Sequence, residues 1–338
     1  MAPKALIVGL AGTSLAPGER DYLAETDPWG AILFARNVGS PAQLAALTGE
    51  IRECLSRPDA PVLVDQEGGR VQRLGPPHWR PYPAAGRIAE LYALDREAGL
   101  EAAWLAGEMI ARDLGAVGIT VTCLPVLDIP AAGADPIIGD RAYGADAASV
   151  AALGRAAADG VLAGGCLPVI KHMPGHGRAM CDSHMRLPRV EASWPELRRT
   201  DFAPFRRLAG LPLGMTAHVV YSAIDPDRPA TLSPTIISRV IREEIGFDGL
   251  LMTDDLSMGA LSGPLAARAR GSIAAGCDIV LHCNGNPREM AELAAVVPAL
   301  SGQPLERAEA ALSVLGERRS AASAPSGGRL DTLLSKVA

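Results

Sequence analysis

Aromatic side chains are scarce in this sequence: Phe, Trp and Tyr make up 4% of its 338 residues. A core with so few rings has to be built from Ala, Val, Leu and Ile. Paired cysteines are missing as well. The six cysteines, at positions 54, 123, 166, 181, 277 and 283, form no Cys-x-x-Cys pair, and several fall in apolar runs where a free thiol packs as a small hydrophobe. They read as reduced, in keeping with the cytoplasm. Positive charge is not in excess. The net charge is −6 and no run of Lys and Arg occurs, so no nucleic-acid footprint is expected. No apolar stretch reaches the length of a membrane span, and Met1 to Leu10 holds a single lysine and an apolar run too short for a secretory signal. A cytoplasmic monomer, touching neither membrane nor nucleic acid, is expected.

What the chain does have is alternation. Apolar residues make up 48% and charged ones 21%, a globular balance, and the length fits one α/β barrel with a terminal extension. Short apolar runs that read as strands recur at Ala5 to Leu10, Gly30 to Phe34, Pro61 to Val64, Ile119 to Cys123, Leu167 to Ile170, Leu213 to Thr216, Leu250 to Thr253 and Ile279 to Leu281. Between several of them lie amphipathic helical stretches, such as Leu100 to Asp113, Ala147 to Ala163 and Ser233 to Ile245. Eight strands in βα alternation predict a single-domain (β/α)8 TIM-type barrel. A doubly wound sheet would show a glycine-rich phosphate turn after the first strand, and Gly9–Leu10–Ala11–Gly12–Thr13 lacks its spacing. No internal repeat is visible. The barrel is assigned to residues 1–317 and a C-terminal tail to 318–338, with Arg318 to Gly328 a loose Ser/Ala/Pro/Gly stretch before a short helix.

Half of the six histidines lie within the fourteen residues from Lys171 to His184. The segment follows an apolar run, so Lys171 and His172 are expected at a strand's carboxyl end. Pro174, Gly175 and Gly177 exclude a helix through it, which denies His172 and His176 the i, i+4 geometry of a helical zinc motif. The segment is expected to be irregular and mobile. Other polar residues follow other strands in the same way: Asp65, Gln66 and Glu67 after the third, Asp128 after the fourth, His218 after the sixth, Asp254 and Asp255 after the seventh. Barrel active sites draw on several strand ends of one face, so this placement predicts an enzyme.

Individual residues have plainer readings too. Asp255 can cap the turn after it, with Asp254 pointing inward over the barrel mouth and Asp255 outward. Glu67, with Arg70 and Arg73 close behind, suits a hydroxylated ligand. Asp140–Arg141 reads as a surface ion pair, and His78 and His282 as structural. Two chemistries compete for the histidine segment. His172, His176, Cys181, Asp182 and His184 are possible metal ligands, which would make a metal-dependent hydrolase, although residues 9 to 14 lack the His-x-His expected after a first strand. Alternatively, Asp182 orients His184 at i, i+2 as a general acid/base, paired with an aspartate nucleophile. A non-catalytic protein that binds a hydroxylated ligand, an amino sugar on the resemblance that follows, is the third reading.

Seven segments, in order, resemble the glycoside hydrolase family 3 β-N-acetylglucosaminidases, in particular the single-domain bacterial enzymes of peptidoglycan recycling. They are Gly30 to Asn37, Asp65 to Arg73, Gly139 to Gly144, Lys171 to Gly177, Asp182–Ser183–His184, Thr216 to Val219 and Thr253 to Met258. Met173 stands where the family commonly has phenylalanine, and nothing resembling the second domain of larger members follows. The resemblance implies Asp254 as the nucleophile of a covalent glycosyl-enzyme, His184 as acid/base and Asp182 as its orienting partner. It implies Asp65, Arg73, Arg141, Lys171 and His172 as holders of N-acetylglucosamine, with His176 and His218 lining the same pocket. It also implies retention of configuration, a saccharide or muropeptide substrate ending in anhydro-muramic acid, and no metal or organic cofactor.

Overall fold

All eight apolar runs are strands. The computed structural model describes residues 2–318 and 327–337, and its central element is a closed barrel. The strands are β1 (Lys4–Gly9), β2 (Pro28–Leu33), β3 (Val62–Val64), β4 (Val121–Thr122), β5 (Leu167–Met173), β6 (Leu213–Thr216), β7 (Leu250–Asp255) and β8 (Ile279–His282). Each pairs in parallel with its neighbours in the chain, and β8 closes the ring on β1 through Leu6–Val280, Ile7–Leu281 and Val8–His282. Helices cover the outside of the barrel, so its strands are buried on both faces and need no polar alternation. That is why they stand out in the sequence as short unbroken apolar runs.

The helices begin where side chains can satisfy their free N–H groups. Asp95 caps Arg96–Ala116 by accepting from Ala98 N at 3.1 Å, and Asp146 caps Ala147–Ala163 by accepting from Ala148 N and Ser149 N at 2.9 and 3.0 Å. The stretch expected to be an ordinary helix from Ser233 to Ile245 is shorter and wider. It runs Ile236–Glu244 as a π helix, and the Ile245 amide bonds the Val240 carbonyl, five residues back, at 2.8 Å. Two small sheets decorate the carboxyl-end side of the chain's strand ends: the hairpin Gln66–Gly68 with Val71–Gln72, and a three-stranded sheet of Asp225–Pro229, Val220–Tyr221 and Arg189–Val190.

Most of the stretch expected to be loose, residues 319–326, lies outside the described residues. The short terminal helix is present at Gly327–Leu334 and buries Leu330, Leu333 and Leu334. Its ion pairs Arg329–Glu101 and Arg80–Asp331, with Lys336–Asp95 just beyond, dock it near the helix Arg96–Ala116. No helix among the described residues is long and apolar enough to cross a membrane. The six cysteines, all among the described residues, form no disulfide.

Candidate active site

A cavity of about 290 Å³ opens at the carboxyl ends of the strands, the size of a site for one small ligand. Asp65, Arg73, Arg141, Lys171, His172, His184 and Asp254 all line it. Strand β5 continues two residues beyond Lys171, so Lys171 and His172 are strand residues, and the peptide between them is cis. Behind them sits Asp128, fully buried after β4. Its Oδ2 lies 2.6 Å from His172 Nδ1, while Oδ1 accepts from the backbone N–H groups of His172 at 3.3 Å and His176 at 2.6 Å. Burial pushes the Asp128 carboxyl up, yet the His172 ring and these N–H groups outweigh it and hold the pKa below the usual range. An ionised Asp128 fixes the proton of His172 on Nδ1 and leaves Nε2 for a ligand.

The first half of this loop, as far as Arg178, is tied down by side-chain and main-chain bonds. The Tyr221 hydroxyl donates to the Gly175 carbonyl, and Arg178 pairs with Asp201 and Glu196, each at 2.8 Å. The amide of Ala131 bonds the Gly177 carbonyl at 2.9 Å. Gly177 packs so closely on Ile129 that a Cβ there would lie 2.0 Å from the Ile129 carbonyl oxygen, which no side chain survives. Exposure returns only at Met180, and Met180 and Met185 are exposed apolar residues on either side of Asp182–Ser183–His184.

Charges of both signs meet around Lys171. Its ammonium is almost wholly buried and sits 3.0 Å from Asp65 Oδ1 and 2.7 Å from Glu67 Oε1. Glu67 is held further by Arg141 through two bonds of 2.8 Å, a side-by-side pairing of guanidinium and carboxylate. Gln66 accepts from the amides of Arg73 and Leu74 at 2.8 and 3.0 Å, which turns the hairpin so that Arg73 returns to Asp65 at 3.2 Å. Burial alone would raise the carboxyls of Asp65 and Glu67. Lys171 acts against it on both, with Arg73 on Asp65 and Arg141 on Glu67, and both stay well below the ordinary range. Burial likewise works against charge on Lys171, and the two carboxylates overcome it.

Asp254 and Asp255 end β7. Both residues line the cavity wall. They differ in what occupies them. Asp255 accepts from Ser257 N at 3.0 Å, Ser257 Oγ at 2.6 Å and Cys283 N at 3.2 Å, the expected cap of its turn. Asp254 accepts a single described bond, from its neighbour's amide at 2.8 Å. Burial would raise its carboxyl, but His218, His172, that amide and Lys171 hold it down, so it is ionised at neutral pH. His218 does not line the cavity, contrary to expectation. It lies behind it, fully buried, with Nε2 donating to the Asp255 carbonyl at 2.9 Å and Nδ1 beside the Thr231 hydroxyl at 2.7 Å, and burial lowers its pKa.

On the far loop, Asp182 Oδ1 takes the His184 backbone amide at 2.8 Å and lies 2.7 Å from His184 Nδ1. Burial works against the Asp182 charge, but these two bonds with His184 keep its pKa low. The imidazole's Nε2 remains for chemistry. The main chain holds this tripeptide to the turn after β7: Ala260 N donates to the Ser183 carbonyl at 3.0 Å and Gly259 N to that of His184 at 3.1 Å.

One local expectation is corrected and two residues are added. Asp140 and Arg141 do not pair with each other; Asp140 meets Arg70 at 3.0 Å and Arg141 meets Glu67, because adjacent side chains on this short turn diverge. Asp128 and Ser183 belong to the site without having been assigned to it, and Glu67, expected to suit a hydroxylated ligand, is the partner of Lys171 and Arg141. Asp128 and Glu67 carried the strand-end signal, whereas Ser183 carried none beyond its place between Asp182 and His184. His282 is buried beside Asp255 and Glu289, and His78 packs edge-on against Trp79, consistent with structural roles. Among the described residues no three His, Cys, Asp or Glu side chains are grouped to hold a metal.

Known proteins resemble the chain along most of its length. Residues 14–314 match the family described as the glycosyl hydrolase family 3 N-terminal domain. A beta-hexosaminidase of Alkalilimnicola ehrlichii is 44% identical over 283 residues, 82% of this chain and 80% of that protein. One of Methylococcus capsulatus is 42% identical over 279 residues, 81% of each. Among solved structures, NagZ from Neisseria gonorrhoeae in complex with N-trifluoroacetyl-D-glucosamine superposes with a TM-score of 0.86 at 32% identity, covering 100% of this chain and 98% of that one.

Proposed function

The chain belongs to glycosyl hydrolase family 3 and is a β-hexosaminidase, and from that premise we propose that it removes terminal β-1,4-linked N-acetylglucosamine from anhydro-muramyl saccharides and muropeptides. It does so as a cytoplasmic monomer in the recycling of peptidoglycan, with residues 1–317 as the catalytic unit. The observation that carries this reading is one cavity, sized for a single sugar, that brings together an ionised and lightly bonded Asp254 and an imidazole, His184, already paired with a carboxylate.

The reaction is a double displacement with retention. Asp254 attacks the anomeric carbon, an oxygen–carbon bond forms, and the bond to the departing sugar oxygen breaks. His184 gives that oxygen its proton from Nε2. In the second half His184 takes a proton from water, which attacks the same carbon and releases Asp254. Histidine replaces the carboxylic acid usual in glycosidases. Asp182, bonded at Nδ1, orients the imidazole and leaves Nε2 as the atom that exchanges the proton. Asp65, Arg73, Lys171, His172 and Arg141 bind the hydroxyls and acetamido group of the sugar. Together with Glu67 and Asp254, the Asp65 carboxylate matches the three cations Arg73, Lys171 and Arg141 in charge, so a neutral ligand enters without leaving a bare ion.

Hydrolysis of an aryl β-N-acetylglucosaminide, followed by inactivation with a fluorinated sugar and sequencing of the labelled peptide, tests the scheme. The label is expected on Asp254, the group that bonds the anomeric carbon. Label on Asp65, Glu67 or Asp255 instead would overturn the assignment.

A further inference from the structure

The Asp182–His184 pair is exposed, its side chains 32% and 59% accessible, yet acid/base catalysis needs Nε2 held to within a fraction of an ångström. The residue between them is the opposite: Ser183 is 3% exposed. Its hydroxyl lies 2.9 Å from Nε2 of His176, which is equally buried. His176 in turn is fixed at its backbone by Asp128, whose other oxygen holds the His172 ring. Among the described residues, the side-chain hydrogen bond from His176 to Ser183 joins the anchored half of the loop to the exposed half. Burial, with the neighbouring His172 ring, lowers the His176 pKa to about 4, so the ring is neutral and cannot itself supply the proton that leaves with the product. Its Nδ1 has no partner among the described residues. Nothing in the displacement uses this imidazole, and a buried polar ring is costly to keep unless its bond matters.

We propose that His176 is a positioning residue for the acid/base: through the Ser183 hydroxyl its ring sets where His184 stands relative to Asp254. This rests on the reading of His184 given above. The carbonyls of Ser183 and His184 are already bonded to Ala260 and Gly259 in the turn that follows the nucleophile. Those main-chain bonds tether the tripeptide but leave it free to pivot about them. The His176 contact removes that freedom from the opposite side. Gly259 allows the approach, since a Cβ there would come within 2.7 Å of the His184 carbonyl oxygen.

The test compares His184→Ala, His176→Phe, His176→Gln and Ser183→Ala on two substrates: a β-1,4-linked disaccharide, whose leaving oxygen needs a proton, and a dinitrophenyl N-acetylglucosaminide, whose leaving group does not. His184→Ala is expected to lose far more on the disaccharide. His176→Phe and Ser183→Ala are expected to show the same split at smaller size, on the order of 10- to 100-fold in kcat on the disaccharide, with KM unchanged and glycosylation by the dinitrophenyl substrate nearly intact. His176→Gln, whose amide can reach the position of Nε2, restores most of the loss. The double variant His176→Phe/Ser183→Ala is no worse than either single one, because both cut the same contact. Equal losses on both substrates, a rise in KM at constant kcat, or additive losses would overturn the proposal. If His184→Ala itself shows no split, the acid/base reading fails; a split there without one in Ser183→Ala refutes the positioning role alone. Should His176→Phe not fold, Ser183→Ala, which deletes one buried hydroxyl, carries the decision.

Discussion

Replacing Asp128 by asparagine changes one atom at the centre of the site and no shape. The amide oxygen can stay where Oδ1 accepts the backbone N–H groups of His172 and His176. The amide nitrogen then faces His172 Nδ1 at the 2.6 Å now occupied by Oδ2, and two donors cannot share that bond. His172 must give up the Nδ1 proton and carry it on Nε2, so the nitrogen offered to the ligand changes from acceptor to donor. A hydrogen bond between the neutral ring and a neutral sugar contributes about 0.5–1.5 kcal/mol, which is roughly 2- to 13-fold in affinity. If His172 grips the sugar equally before and during reaction, the loss falls on KM and on the affinity for free N-acetylglucosamine, with kcat little changed. Stability carries a second signature. The folded pKa of Asp128 is depressed, so its contribution is present above the unfolded value, near 4, and is lost as pH falls through the lower folded value. The variant should therefore lose stability near neutrality and less of it on acidification below about pH 4. Steady-state kinetics, inhibition by N-acetylglucosamine and thermal melts across pH measure all three. A variant with wild-type KM and wild-type melting temperature at pH 7 would refute the account of Asp128 as the group that orients His172.

Lys171→Met should be among the most destabilising single changes in the site, because it leaves the buried Glu67 and its neighbour Asp65 short of a cation; a loss of about 3–5 kcal/mol is expected, read by chemical denaturation, and a loss under ~1 kcal/mol would contradict the central place given to the ammonium. Hydrogen exchange should divide the histidine segment in two: amides from Lys171 to Arg178 protected nearly as well as those of β7, and amides from Met180 to Arg186 opening far sooner. Uniform fast exchange across the whole segment would contradict the anchoring by Asp128, Tyr221 and Asp201.

The barrel was legible because its evidence is local. A strand buried on both sides reads as a short, mostly apolar run, so Leu250 to Thr253 and Leu213 to Thr216 stand out from their surroundings. Strand-end polarity was legible for the same reason and located Asp65, Lys171, His172 and Asp254 on one rim. Partnerships were not, because they join residues far apart in the chain. Nothing near Asp128 in sequence announces His172 and His176, and nothing near Arg141 announces Glu67. Local reading misled where neighbours in sequence were taken for neighbours in space, as with Asp140 and Arg141. Close packing at glycine was not legible either. Gly175 and Gly177 let the backbone press against Asp201 and Ile129, and the closeness they permit is what holds the loop.

The order of strands around the barrel also says something about time. Each strand finds one neighbour as soon as the next is made, but β1 waits for its second partner until the chain has been extended past His282. Until then the growing sheet has two open edges, β1 and whichever strand is newest, and both are apolar and ready to pair with another chain. A message cut short anywhere before Ile279 would release a product with those edges unsealed. Once β8 arrives, the Leu300 amide also bonds the Pro3 carbonyl at 2.8 Å, so the first and last turns of the ring are fastened together in one event. A chain that stops short of β8 thus leaves β1 without the second neighbour that the finished barrel gives it.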